Sequence, residues 1–154
     1  MKNFVVITLG TGLGSGVFVN GHLVYGNRGL AGEMGHMSIN PNGRKCNCGK
    51  KGCLEMYVSA KGNTKTVNNL YITKRENRFL YELLGNAKIK DFNGNVNGRN
   101  IDKAFDKGHP TAKEIYEYTS EKLGYGLSQV ATLLEPEAFI FYGGLVRVHA
   151  GARG

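Results

Sequence analysis

One histidine and three cysteines, His36, Cys46, Cys48 and Cys53, fall in a single glycine-rich stretch, residues 32–55 (GEMGHMSINPNGRKCNCGKKGCLE). One imidazole nitrogen and three thiolates make a complete tetrahedral ligand set for structural zinc. The cysteines are spaced C-x-C-x4-C, and Gly43, Gly49 and Gly52 lie among them. Glycine lets a short loop turn back so that several side chains converge on one ion. The competing reading is unliganded thiols. An odd number of cysteines cannot form a closed disulfide set, and Cys46 and Cys48 are too close in sequence to bridge comfortably. Three thiols in a Gly/Lys/Asn-rich loop do not look like core packing. A metal, zinc for preference, is therefore expected. Glu33 and Glu55 bracket the ligands. On residue type alone Glu33 reads as a solvated loop residue. Glu55 reads as a carboxylate in the first turn of a helix, where the dipole favours it.

A second stretch with chemical potential is Gly10-Thr11-Gly12-Leu13-Gly14. Glycines let backbone N–H groups approach an anion, and Thr11 adds a hydroxyl donor. No Lys-Ser/Thr follows where a Walker loop needs it, and the run leads into a hairpin, so the dinucleotide fingerprint does not fit either. Taken alone, the run is equally a tight turn without a ligand.

The elements that must position these residues follow from pattern. Residues 4–9 (FVVITL) are a β-branched apolar run and predict a buried strand. Residues 15–20 predict a second strand, Asn20-Gly21 a two-residue hairpin turn, and residues 22–25 a third strand. A short strand is expected at 36–39. A helix is expected from Leu54, then mostly helical sequence over 63–84, clearest at 75–84. Residues 86–100 read as a loop and 101–107 as a short helix. Pro110 opens a long helix to Leu134 with Ile115, Thr119, Leu123, Leu127, Val130, Ala131 and Leu134 on one face. Residues 138–142 (AFIFY) predict a further strand closed by Gly143-Gly144, on its own an ordinary strand-to-helix turn.

At 154 residues, 41% of them hydrophobic, the chain is long enough for one domain with a real core. No apolar run approaches the roughly 20 residues of a membrane span, and the first residues read as a strand and not as a signal peptide. A reducing, cytoplasmic setting fits cysteines that hold metal. The net charge of +8 suits an anionic small ligand as well as nucleic acid, but the lysines and arginines are scattered and no basic stripe is interleaved with aromatics. A solvated basic surface is the expectation, with a modest local density at Arg44, Lys45, Lys50 and Lys51, Lys50 and Lys51 decorating the metal loop, and nucleic acid not expected as a partner.

Four stretches in order, ITLGTGLGSGVFVNG (7–21), GLAGEMGHM (29–37), CNCGKKGCLE (46–55) and PEAFIFYGGL (136–145), together resemble the ROK family of bacterial sugar kinases and related repressors. The resemblance covers nearly the whole chain and is weakest over 63–100. It implies an α/β fold of the actin-like ATPase/ribonuclease H-like type, with this chain the C-terminal lobe of a glucokinase-like sugar kinase, truncated at both ends. It divides the chain into a β-meander (3–26), a sugar and zinc loop (29–55), a helical region (54–135) and a final strand (137–143). Gly10, Thr11 and Gly12 match the phosphate loop that faces ATP, and Gly143 and Gly144 the adenosine side. Glu33 and His36 match an E-x-G-H motif that contacts sugar hydroxyls, His36 doubling as a zinc ligand with Cys46, Cys48 and Cys53. Glu55 matches a further sugar contact. The implied partners are a hexose and ATP, with Mg²⁺ as co-substrate and Zn²⁺ structural.

The family's Asp-x-Gly-Gly-Thr loop and its Asn-Asp pair, which supplies the general base, do not occur in this sequence. Asp91, Asp102 and Asp106 have no matching context, so no catalytic residue is assigned here. Residues 145–154 (LVRVHAGARG) depart from the family's usual continuation. The expectation is a fragment of a kinase that transfers the ATP γ-phosphate to the 6-hydroxyl of glucose or a related hexose, inactive alone. A sugar-responsive repressor and a zinc-stapled non-catalytic fragment remain alternatives, and exposed apolar surface would favour self-association.

Overall fold

The computed structural model describes residues 1–74, 77–86 and 96–146. A four-stranded sheet runs in the order β3-β2-β1-β4, with β1 Phe4–Leu9, β2 Leu13–Val19, β3 His22–Leu23 and β4 Ala138–Tyr142. β1 pairs antiparallel with β2 (Leu9 opposite Leu13) and parallel with β4 (Phe4 opposite Ala138). Val5, Ile7 and Leu9 alternate along β1 and are almost fully buried, as the period of two requires. Asn20 (φ 53°) and Gly21 (φ 82°) both take the left-handed backbone that an Asn-Gly hairpin demands.

Five helices follow: α1 Glu55–Val58, α2 Ala60–Thr73, α3 Arg78–Leu83, α4 Gly98–Asp106 and α5 Pro110–Leu134. α5 starts on a His109 N-cap, whose Nδ1 accepts from the Thr111 N–H at 3.2 Å, and ends at Glu135 in the left-handed region (φ 43°). It spans two clusters of core residues. One half packs with α2, α3 and α4 through Val67, Leu80, Ile101 and Ile115. The other packs Leu123 and Val130 against the buried face of the sheet and Leu54, Tyr57 and Val58 of the α1 segment. Among the described residues no helix is long and apolar enough to cross a membrane.

Several expectations need correction. β2 begins at Leu13, two residues early, because Leu9–Leu13 and Thr8–Gly14 already pair; the turn proper is Gly10 to Gly12. β3 is limited to two residues. Residues 36–39 are not a strand: Met34–His36 is a short 3-10 turn, followed by a single antiparallel bridge from Ser38 to Cys53. The helix expected from Leu54 breaks at Ser59 (ψ 172°), whose hydroxyl caps α2 by accepting from Gly62 N–H at 3.2 Å. α4 begins at Gly98, inside the expected loop. Ala131 and Leu134 are exposed although the helical spacing put them on the buried face. The starting turn of the helix expected at 75–84, most of the loop at 86–100 with Asp91, and most of 145–154 lie outside the described residues.

Two glycine-to-alanine changes should act in opposite directions. A Cβ on Gly62 would sit 2.6 Å from the Tyr57 backbone carbon, with no flexible atom to move, whereas a Cβ on Gly124 meets nothing within 4 Å. Gly62→Ala should lower stability by about 1–3 kcal/mol despite the helix-propensity gain. Gly124→Ala should raise stability by up to ~1 kcal/mol. Thermal unfolding of the two variants checks both signs.

Candidate metal centre and anion cleft

The loop from Met34 to Cys53 folds back on itself through backbone bonds: Ile39 N–H to Gly52 C=O at 2.9 Å, Gly52 N–H to Arg44 C=O at 2.8 Å, and Cys46 N–H to Lys50 C=O at 2.9 Å. Gly52 (φ 73°) is held so closely that an added Cβ would fall 1.7 Å from the Asn40 carbonyl oxygen. This folding places one ligand atom from each of His36, Cys46, Cys48 and Cys53 within 4.8 Å of one another. Cys48 Sγ lies 3.5 Å from Cys53 Sγ, and His36 Nδ1 lies 3.7 Å from Cys46 Sγ. A tetrahedral zinc with Zn–S of about 2.3 Å sets sulfurs about 3.8 Å apart, so the donor set fits such an ion. The Nδ1 geometry leaves the opposite ring nitrogen free to face elsewhere.

The thiols sit in unequal surroundings. Burial and the neighbouring thiols push Cys53 up to about 12. A backbone N–H from Lys50 holds exposed Cys48 below the usual thiol range. Metal capture must therefore displace protons, that of buried Cys53 among them.

Arg44 fastens this loop to the helices. Its Nη1 donates to the carbonyls of Met56 (2.8 Å) and Gly62 (3.0 Å), and Nη2 to Thr66 Oγ1 (2.9 Å). The guanidinium lies 4.7 Å from the Tyr57 ring centroid and 5.6 Å from that of Tyr118. In the sequence Arg44 is only one of several local basic residues. The pattern of its surroundings, aromatics and helix-end carbonyls from three elements, is not visible in local sequence.

A second site lies where the ends of β1 and β4 come together. Gly10, Thr11, Gly12, Gly143, Gly144, Glu55, Thr8 and Tyr142 all line one cleft of about 470 Å³. Among the described residues the N–H groups of Thr11 and Gly12 have no acceptor in the protein, which is the condition for a backbone anion nest. Gly143 (φ 121°) lies so close over the end of β1 that a Cβ would be 2.2 Å from the Leu9 carbonyl. Half-buried Glu55 reaches this cleft from α1: its Oε2 accepts the Leu13 N–H at 3.0 Å. From the other side Gly35 abuts the Leu13 carbonyl, 2.4 Å from where its Cβ would lie.

The structure thus gathers the five glycine-loop residues with Glu55, and separately the four ligands. It does not join Glu33 to either group by its side chain. The Glu33 carbonyl accepts the His36 N–H at 3.0 Å, while among the described residues its exposed carboxylate has no hydrogen-bond partner. Glu33 instead borders an apolar recess of about 330 Å³ with Val5, Val17, Met37 and Leu133.

The family model described as ROK family matches residues 1–152. The chain is 32% identical to a glucokinase of Halalkalibacterium halodurans over 94% of its own length and 42% of the relative's. It is 31% identical to the xylose repressor of Bacillus subtilis over 96% of its length and 33% of the relative's. Its fold superposes with a TM-score of 0.78, at 32% identity, on a ROK family glucokinase from Streptomyces griseus in complex with glucose and AMPPNP, covering 95% of this chain and 46% of that one. The chain belongs to the ROK family, with the mixed α/β open sheet of its sugar kinases, and spans less than half the length of the relatives named here.

Zinc should bind one-to-one. Cys48→Ser should weaken binding by at least about 10-fold, because it removes one of four donors. Affinity should fall as pH drops below neutrality, because protonated thiols must lose protons to bind. Competition with a chromogenic chelator measures all three.

Proposed function

We propose that this chain is the second lobe of an ATP-dependent ROK sugar kinase that moves the γ-phosphate of ATP to the 6-hydroxyl of glucose or a related hexose, with Mg²⁺ as co-substrate. The observation that carries this reading is the cleft in which Gly10, Thr11, Gly12, Gly143, Gly144 and Glu55 meet. Free amides at Thr11 and Gly12, with the Thr11 hydroxyl, suit phosphate oxygens whose charge grows during transfer. Gly143 and Gly144 leave room for the nucleoside. The glucose and AMPPNP bound by the Streptomyces griseus glucokinase support both partners.

Glu33, His36 and Glu55 are assigned to the sugar. A metal-bound Nδ1 fixes the His36 tautomer and leaves the other nitrogen for a hydroxyl. Zinc in this reading is structural: Cys46, Cys48, Cys53 and His36 hold it, and it shapes the loop without joining the reaction. Phosphoryl transfer also requires a base beside the attacking hydroxyl, and no residue of this sequence is assigned that role. A cytoplasmic setting and self-association belong to the same proposal. Exposed Leu133, Tyr25 and Leu30 supply apolar surface for the latter.

The xylose repressor shares this segment, so a sugar-responsive regulator is the second reading. Retention of Thr11 and the glycines around the cleft favours the kinase. Titration with Mg-AMPPNP and with glucose separates the two: nucleotide binding supports the kinase, and sugar binding without nucleotide binding supports the regulator.

Gly12→Ala should reduce nucleotide affinity by an order of magnitude or more, because its Cβ would lie 2.5 Å from Glu55 Oε2 and displace the carboxylate that holds the Leu13 N–H beside the loop. Calorimetry with Mg-AMPPNP checks this. A coupled ATP/glucose assay on the 154-residue chain should show no turnover.

A further inference from the structure

Leu13 is the first residue of β2 after the glycine loop, and its two backbone polar groups face two different arms. Its N–H is taken by the Glu55 carboxylate at 3.0 Å. Its carbonyl is crowded by Gly35, where a Cβ would come within 2.4 Å. Each arm sits beside a metal-ligating residue: Gly35 immediately precedes His36, and Glu55 follows Cys53 by two positions. The arms are joined behind by Leu54 N–H to Met37 C=O at 2.9 Å and by the Ser38–Cys53 bridge. A third tie, Ala60 N–H to Gly10 C=O at 2.9 Å, holds the start of the loop to α2.

We propose that Glu55 is a positioning residue for the glycine loop: the metal centre sets the two arms around Leu13, and Glu55 transmits that setting to the loop amides. The consequence for nucleotide affinity rests on the kinase reading; the coupling from metal to loop does not. Gly12 completes the contact, since only a residue without Cβ lets the carboxylate lie against the turn. The carboxylate spends one oxygen on Leu13 and keeps the other for a ligand. An occupant of the sugar side would therefore press on the loop through the same group.

Hydrogen exchange read by NMR on the metal-loaded 154-residue chain tests this. Chelation of the metal should speed exchange at Leu13 by roughly 10-fold or more while the β1 amides of Val5 and Ile7 change far less. In the loaded chain Glu55→Ala should reproduce the Leu13 effect. Glu55→Gln, which keeps an acceptor oxygen, should retain protection, a rescue that general destabilisation would not give. If the stripped chain unfolds, the Ala/Gln pair in the loaded chain decides the matter. Unchanged Leu13 exchange in Glu55→Ala, or equal loss in the Ala and Gln variants, overturns the proposal. Protection that follows Glu55 in a chain that binds no Mg-AMPPNP upholds the clasp and removes the kinase reading instead.

Discussion

Three thiols and an imidazole with their ligand atoms within 4.8 Å of one another form the constraint on which the rest of this structure turns. Three thiolates at that spacing repel, and burial of Cys53 adds a desolvation penalty. A divalent cation held by these four ligands would reverse both terms and close a loop that has little apolar content of its own. Zinc with three thiolates still carries one net negative charge. Lys45, Lys50 and Lys51 lie beside the cysteines in sequence, and among the described residues none of them has a carboxylate partner. Positive charge close in sequence to such a set would offset that excess.

The loop is fixed at its base as well as at its tip. Arg44 satisfies the end of α1 and the first turns of α2 with three hydrogen bonds and lies against two tyrosines. Burial lowers its pKa, yet a guanidinium stays charged at any pH of interest. The Tyr57 hydroxyl in turn accepts the Arg44 N–H at 3.1 Å. Lysine in this place could not make the forked contacts, so the metal loop and the helical layer are joined by a geometry that only arginine provides.

The strands of the sheet core and the long helix were legible because their patterns are local: β-branched alternation at 4–9, a Pro start and a Glu-Pro stop for α5. The ligand set was legible because cysteine spacing reports chemistry directly. What was not legible depended on contacts distant in sequence. The break between α1 and α2 at Ser59 is imposed where the chain must pass the glycine loop, with Ala60 bonded to Gly10. The 3-10 turn at Met34–His36 replaces a strand because Gly35 must press against Leu13. Arg44 looked like one more surface cation because its partners come from residues 56 to 118. Ala131 and Leu134 fit the helical spacing but lie on the last turn of α5, where the buried face ends at Val130.

The position of the cleft follows from topology. β1 and β4 run parallel as neighbours, so the turns that leave them, Gly10–Gly12 and Gly143–Gly144, emerge at the same end of the sheet. Ligands of open α/β sheets gather at the carboxyl ends of such strands. β2 returns antiparallel from that same end, which places Leu13 at the rim with its backbone available to the metal-bearing arms. An antiparallel β4 would put Gly143 at the opposite end of the sheet from Gly10 and leave the glycine loop without its facing wall. The parallel pairing of two short strands, 129 positions apart from Leu9 to Ala138, is thus what turns an ordinary tight turn into one side of a cleft.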